Sequence, residues 1–189
     1  MKKAIIFMMC LVLTFTTTVS ASLTELYEQR SKSIILSHTS PISVERGYIG
    51  EIAQEAGAIY VSFDVIDSSI DLMCEYIPFP NSAIELTRLC MSETLINNHV
   101  SFMVDKFLGD IGRERVRLVA LENSLGAVVF PEHTMGDVGW DDVSIILFPR
   151  RDRDDNLVIA REVEWVRLWI YTTYNYFFFE FQFKNGRIR

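Results

Sequence analysis

The sequence predicts an α+β protein in which helices come first and an antiparallel β-sheet follows. Two observations carry this prediction. Up to about residue 107 the apolar residues recur at steps of three and four, which is the period of a helix. From Gly112 onward the period becomes two, and short apolar runs are separated by turn residues. We expect the two parts, residues 22–110 and 111–189, to form one compact unit.

The first 21 residues have the pattern of a secretory signal peptide. Met1-Lys2-Lys3 is basic, and the apolar run that follows is too short to span a bilayer, which takes about 20 residues. Val19-Ser20-Ala21 offers the small residues that signal peptidase reads, so we expect cleavage after Ala21. The start looks bacterial, which predicts a periplasmic protein with no stable membrane insertion. The alternative, an uncleaved anchor, would place the hydroxylated residues 14–20 in hydrocarbon.

Residues 22–110 are predicted to be helical. An amphipathic helix is expected over Leu23–Leu36, followed by two helices folded back on each other between about Ile42 and Phe107. The turn of this hairpin is Pro78-Phe79-Pro80-Asn81, because proline lacks the amide donor that a helix needs. Ser82 followed by Glu85 predicts a capping box at the start of the second arm. The β-branched residues of 58–65 favour a strand, but the three-four stripe is unbroken there, so helix is preferred.

Two cysteines are left after signal cleavage. Cys74 lies on the first arm of the predicted hairpin and Cys90 on the second. An even count in an oxidising compartment predicts a Cys74–Cys90 disulfide that pins the two arms together. The alternative is two buried thiols.

The second part is predicted to be an antiparallel meander of about five strands. Phe177, Phe179, Phe181 and Phe183 alternate with more polar residues, so they should share one face. Asn185-Gly186 is a hairpin turn signal with only three residues after it. The apolar runs read as strands are Arg115–Ala120, Ala127–Phe130, Val143–Phe148, Leu157–Val163, Trp165–Thr172 and Tyr176–Phe183.

The charge is acidic and uneven. The formal charge is -7, and residues 22–110 hold thirteen acidic against five basic residues. Nucleic acid is therefore not expected as a partner, since phosphate binding requires a basic patch. A protein with a basic surface fits better, and the predicted partner-binding row is Asp64, Asp67, Asp71 and Glu75. The alternative is that this row is only the solvated face of an amphipathic helix.

The sequence contains no recognisable set of catalytic residues, so we expect a binding protein that is not an enzyme and uses no cofactor. Glu132, His133, Asp137 and Asp141 are close in one loop, but their spacing matches no metal-ligand pattern, and no metal is predicted. The turn that begins at Asp152 resembles a calcium loop without its glycine and its last glutamate, so a hairpin turn is predicted there.

An aromatic cluster follows in the last strands. Trp165, Trp169 and Tyr171 are candidates for a pocket that binds a small apolar ligand, or for a protein interface. Packing between the sheet and the helices is the third interpretation, and the sequence leaves all three open.

Residues 45–110 also resemble a known family. Gly47-Tyr48-Ile49-Gly50, then Cys74 and Pro78, then a capped helix with Leu86 and Leu89, are similar to small periplasmic immunity proteins that neutralise type VI secretion amidase effectors. The resemblance implies a disulfide-containing helical protein that plugs the cleft of a peptidoglycan-cutting toxin. A β-sheet in the second half is not part of that pattern. The other two expectations are a cone-like module for a small apolar ligand and an accessory protein of an envelope or secretion assembly.

Overall fold

The computed structural model describes residues 30–46, 57–76, 80–106, 115–141 and 143–189. Its helices are α1 (Arg30–Ser37), α2 (Phe63–Tyr76) and α3 (Asn81–Met91), and a π-helical segment, Ser92–Asn97, continues α3. The strands are β1 (Thr39–Arg46), β2 (Gly57–Val61), β3 (His99–Asp105), β4 (Val116–Asn123), β5 (Val128–Val129), β6 (His133–Met135), β7 (Val143–Pro149), β8 (Trp165–Thr172), β9 (Tyr176–Lys184) and β10 (Arg187–Ile188). The predicted α+β class is confirmed, with more strand than helix.

The strands form two antiparallel sheets that share β1. Along the sheet path the order is β5-β4-β8-β9-β1-β2-β3-β7-β6, and β10 pairs with β9. Thr39–Pro41 of β1 pairs with β2, whereas Ile42–Arg46 pairs with β9. A strand that changes sheets in this way forms a corner between them. The first sheet is therefore β1-β2-β3-β7-β6 and the second is β5-β4-β8-β9-β1.

The described elements make three layers. The main core lies between the sheets, where Phe102 and Phe148 of the first sheet meet Leu168 and Phe179 of the second. The opposite face of the first sheet packs against the helices in two smaller clusters, in which Ile66 and Ile70 of α2 contact apolar residues of β2 and β7. The end strands β5 and β6 are separated by residues 130–132 alone, which reach at most about 14 Å. The two sheet edges therefore come close together at one seam.

The prediction of helix was wrong for three segments of the first half. Residues 42–46, 57–61 and 99–105 are strands. The reason is that β2 and β3 have apolar contacts on both faces, with helices on one side and the second sheet on the other. Such strands read as continuous apolar runs without the two-residue alternation, which makes them look like buried helix.

Two predictions for the second half also need correction. The strands are antiparallel, but they are not a meander, because β1, β2 and β3 lie between β9 and β7 in the sheet order. Leu157–Val163 is a series of turns with a single bridge between Arg151 and Leu157. The other predicted strands are present, and the alternation of β9 is confirmed, since all four inward phenylalanines are buried. The Asn185-Gly186 turn is confirmed as well: both residues have positive φ, and β10 adds two residues to β9.

Helix α3 begins two residues earlier than the predicted capping box requires, because the box takes Ser82 as N-cap. Its N-cap is Pro80, and no side chain caps it. Its other end is held more firmly, because the helical run ends in carbonyl groups that accept bonds from side chains. Four donors do this: Asn98 to Glu93, His99 to Thr94, Ser101 to Leu95 and Arg150 to Ile96. The last carbonyl groups of a helix have no donor within the helix itself. Here these side chains supply the missing donors before β3 starts.

Several predictions fall on residues outside the described ranges. These are the signal peptide and its cleavage site, the Gly47–Gly50 motif and the turn at Pro78. Among the described residues, no helix is both long and apolar enough to cross a membrane.

Candidate functional site

The solvent face of α3 is the most unusual surface in the described part of the chain. None of its eleven residues is buried. Leu86 is 54% exposed and Leu89 is 59% exposed, and their spacing of three places them side by side on the helix. Both leucines belong to the three-four rhythm that predicted a helix here, and the helix is present, but the structure leaves both side chains exposed.

Exposed carboxylates occur on the same helical run as these leucines and on the neighbouring helix α2. Glu85 precedes Leu86 on α3, and Glu93 follows one turn after Leu89; both are exposed. Asp64 and Asp67 of the predicted acidic row lie on the neighbouring helix α2 and are also exposed. We use the name acidic-leucine face for Leu86 and Leu89 together with Asp64, Glu85 and Glu93.

One member of the predicted row is already engaged within the protein. Asp67 accepts a bond from Arg88 Nε at 2.5 Å, and Glu85 lies 3.9 Å from the same guanidinium. The pair joins α2 to α3, but both side chains are partly exposed, so it contributes less than about 1 kcal/mol. Asp71 and Glu75 lie on the same helix, and their side chains are outside the described residues.

The register of α2 and α3 bears on the predicted disulfide. Asp67, near the start of α2, contacts Arg88, near the end of α3, as antiparallel helices require. Cys74 lies seven residues further along α2, and Cys90 lies two residues further along α3 in the opposite direction. The two offsets add, because the helices are antiparallel. At 1.5 Å per residue, the Cα atoms of Cys74 and Cys90 are therefore about 13 Å apart along the helix axis, whereas a disulfide needs Cα atoms within about 7 Å. Cys90 is a free, half-buried thiol, and the Cys74 side chain is outside the described residues, so the disulfide stays a prediction.

The aromatic candidates lie together on the outer face of the second sheet. Trp169 is 4.8 Å from Phe178 and 6.1 Å from Tyr171, measured between ring centroids, and its indole N–H donates to Glu122 at 2.7 Å. Arg167 lies over the Trp165 ring at 4.5 Å and pairs with Glu180 at 2.8 Å. The rings are half-buried against one another and their polar partners are satisfied. Cross-strand packing explains this arrangement without a ligand.

The polar loop between β6 and β7 does not gather its acidic residues around a cation. The Asp141 carboxylate accepts the backbone N–H of Asp137 at 2.7 Å, which closes the loop on itself. Glu132 lies elsewhere, 3.3 Å from His99, an ion pair when the imidazole is protonated. Within the described residues no group of three or more His, Cys, Asp and Glu side chains could hold a metal ion.

The turn that begins at Asp152 is closed by its own side chain. The Asp152 carboxylate accepts the N–H groups of Asp154 and Asn156, as the predicted hairpin turn requires.

His38 joins the end of α1 to the start of α2. Its Nδ1 donates to the Ile34 carbonyl at 2.8 Å, so its Nε2 accepts a bond from Ser62 at 2.9 Å. The Ser62 oxygen also accepts the N–H of Val65, which makes it the N-cap of α2. Burial lowers the pKa of His38, and the Ile34 carbonyl and Asp64 oppose that shift only in part. This geometry is that of a structural histidine kept neutral.

Sequence reasoning missed a second group of polar residues, Tyr60, His99 and Arg150. They meet at one end of the space between the sheets and line a common cavity. The sequence could have indicated this group only if residues 58–65 had been read as a strand. That interpretation places the end of β2, which carries Tyr60, next to the start of β3, which carries His99.

Comparison of the chain with protein families, with characterised proteins and with solved structures finds no match.

Proposed function

We propose that this chain is an exported binding protein, not an enzyme, which binds a basic protein partner on its acidic-leucine face. The observation that carries the proposal is that α3 packs Ile84 and Met91 against the core but leaves two neighbouring leucines, Leu86 and Leu89, exposed. A helix in a globular protein gains most of its stability from packing one apolar face. Leu86 and Leu89 lie outside that packed face, and a partner that covers them would bury additional apolar surface.

The charges around the leucines support a basic partner. Five charged side chains lie on or beside this face, namely the carboxylates Asp64, Asp67, Glu85 and Glu93 and the single guanidinium of Arg88. A partner with lysine or arginine at the rim of an apolar patch would be steered toward this face and held in register. An apolar centre with a charged rim is also the usual composition of a protein interface.

The compartment and the family resemblance narrow the proposal. The signal-peptide pattern of residues 1–21 supports export to the periplasm. Leu86 and Leu89 belong both to the acidic-leucine face and to the motif shared with immunity proteins of type VI amidase effectors. We therefore propose an inhibitor-type role in which the partner is a toxin that cuts peptidoglycan.

The test compares capture of partners by matched variants. Wild type, Leu86→Ser with Leu89→Ser, and Leu125→Ser are immobilised and exposed to envelope extract. Leu125 is the control because it is 61% exposed in the turn between β4 and β5, away from the helices. We expect a basic protein that wild type and Leu125→Ser retain and the double variant loses.

Kinetics with that protein separate the charges from the leucines. Asp64→Lys with Glu85→Lys should lower the association rate most at low salt, because steering is screened as salt rises. The leucine variant should act mainly on dissociation, since it removes apolar contact. The proposal fails if no captured protein depends on Leu86 and Leu89. It also fails if Trp169→Ala abolishes capture while the leucine and charge variants bind normally.

A further inference from the structure

A cavity of about 60 Å³ opens at one end of the space between the two sheets. The end of β2, the start of β3, the chain just after β7 and the β9–β10 turn surround it. Ligand sites are usually concave and lined by several elements of a fold, as this cavity is. The residues that line it are Tyr60, Val61, Ile96, His99, Val100, Arg150, Leu157, Ile159 and Gly186.

Tyr60 presents a fixed hydroxyl group at this cavity. Its ring packs edge-on against Phe183 at 5.3 Å and tilted against Phe102 at 5.7 Å, so the core holds its orientation. Within the described residues the hydroxyl has no hydrogen-bond partner. Tyr60 is partly buried, and a phenol at a cavity without a protein partner can donate its hydrogen bond to a ligand. Arg150 lines the same cavity as Tyr60. Burial raises the pKa of Tyr60, and the positive charge of Arg150 opposes that rise.

Arg150 brings unused donors to the same cavity. One guanidinium nitrogen donates to the Ile96 carbonyl at 2.6 Å, which anchors the side chain against the end of the π-helical segment. No carboxylate in the described part of the chain pairs with Arg150. The guanidinium has five N–H donors in a planar fork, so most of them are left for a ligand. His99 also lines the cavity, but both of its ring nitrogens already have partners. Its Nδ1 contacts the Thr94 carbonyl and its Nε2 contacts the Glu132 carboxylate.

From this convergence we propose that the cavity binds a small oxyanion, a carboxylate or phosphate group, between the Tyr60 hydroxyl and the Arg150 guanidinium. Both groups donate hydrogen bonds and Arg150 supplies a positive charge, which is the combination that recognises oxyanions. Val100, Leu157 and Ile159 contribute apolar walls beside these two donors. The volume equals the share of about two water molecules in the liquid, so the anionic group itself is small. The site uses no residue of the acidic-leucine face.

The experiment is a titration followed by amide resonances of the ¹⁵N-labelled exported protein. Sodium phosphate and sodium acetate are added in separate series, with sodium chloride at equal ionic strength as the reference. We expect saturable shifts at Tyr60, Val100 and Gly186 with at least one oxyanion and not with chloride. Saturation by phosphate alone assigns a phosphate group, and saturation by acetate alone assigns a carboxylate.

Variants test the two donors separately. Tyr60→Phe removes only the hydroxyl and keeps the ring packing, and it should weaken binding roughly tenfold. Arg150→Gln should weaken binding at least as much, although it also loses the bond to Ile96. Arg151→Gln is the matched control, since Arg151 pairs with Asp155 and does not line the cavity. The proposal is overturned if neither oxyanion gives saturable shifts, if chloride gives the same shifts, or if Tyr60→Phe binds as tightly as Arg151→Gln.

Discussion

Replacing Asp105 by asparagine should make the protein more stable at neutral pH. Asp105 is the last residue of β3, and its carboxyl group accepts the backbone N–H of Gly57 at the start of β2. Burial raises the pKa of this carboxyl from 3.8 to about 7, and the bond from Gly57 opposes the rise only in part. Asparagine has nearly the same shape and can still accept the Gly57 N–H through its side-chain oxygen.

The direction of the pH effect follows from proton binding. Between about pH 4 and pH 7 the folded protein holds a proton on Asp105 that the unfolded chain has already released. Stability therefore falls as pH rises through this window, and the loss is complete above the folded pKa. A shift of about three units corresponds to at most about 4 kcal/mol. Because the Asp105 side chain is partly exposed, solvent screening reduces this, and we expect about 2 kcal/mol.

The assay is urea denaturation of wild type and Asp105→Asn at pH 4.5, 6 and 8. The difference in unfolding free energy should be smallest at pH 4.5 and should grow with pH until it favours the variant by about 2 kcal/mol at pH 8. Asp154→Asn, at an exposed turn residue, controls for the loss of one negative charge and should change stability by less than about 0.5 kcal/mol. A difference that does not vary with pH, or a variant less stable than wild type at pH 8, would refute the reasoning.

Three further predictions follow from single contacts. His38 has a lowered pKa, so wild-type stability should fall as pH drops below about 6.5, and His38→Gln should lose that part of the slope in a pH series of denaturation curves. Phe179→Ala should cost about 3–5 kcal/mol of unfolding free energy because the ring is fully buried, whereas Phe178→Ala, on the outer face, should cost less. Alkylation of the denatured, unreduced protein should label Cys90, and a crosslinked Cys74–Cys90 peptide would instead establish the disulfide and contradict this register of α2 and α3.

The period of the apolar residues predicted the second sheet better than the first. In β9 one face is buried and the other is partly solvated, so Phe177 and Phe179 alternate with residues such as Glu180 and the strand can be recognised. In β2 and β3 both faces are covered, and Ala58-Ile59-Tyr60-Val61 shows no alternation at all. A local rule cannot distinguish such a run from a helix, because the distinction depends on what packs against it.

The candidate sites were difficult to predict for the same reason. Leu86 and Leu89 fit a helical stripe, but which side of a helix faces inward is decided by what lies beneath it. In α3 the side that packs is the one with Ile84 and Met91. Tyr60 and Arg150 are 90 residues apart in sequence and come together only because β2, β3 and β7 are neighbours. Asp64 and Asp67 were predicted correctly as helical and exposed, since that depends only on the amphipathic pattern of α2.

The end of the helical run offers a final test of how α3 is joined to the sheet. Ser101 is fully buried in β3, and its hydroxyl donates to the Leu95 carbonyl at 2.5 Å. Ser101→Ala leaves that carbonyl without its donor in a buried position, which should cost about 1–3 kcal/mol. Asn98→Ala removes the equivalent bond to the Glu93 carbonyl, but there the donor is exposed, water can replace it, and the loss should be below about 1 kcal/mol. Denaturation curves of the two variants measure this difference. If the two variants lose the same unfolding free energy, the prediction is wrong, and burial of the Ser101–Leu95 bond does not make it the stronger anchor of the π-helical segment.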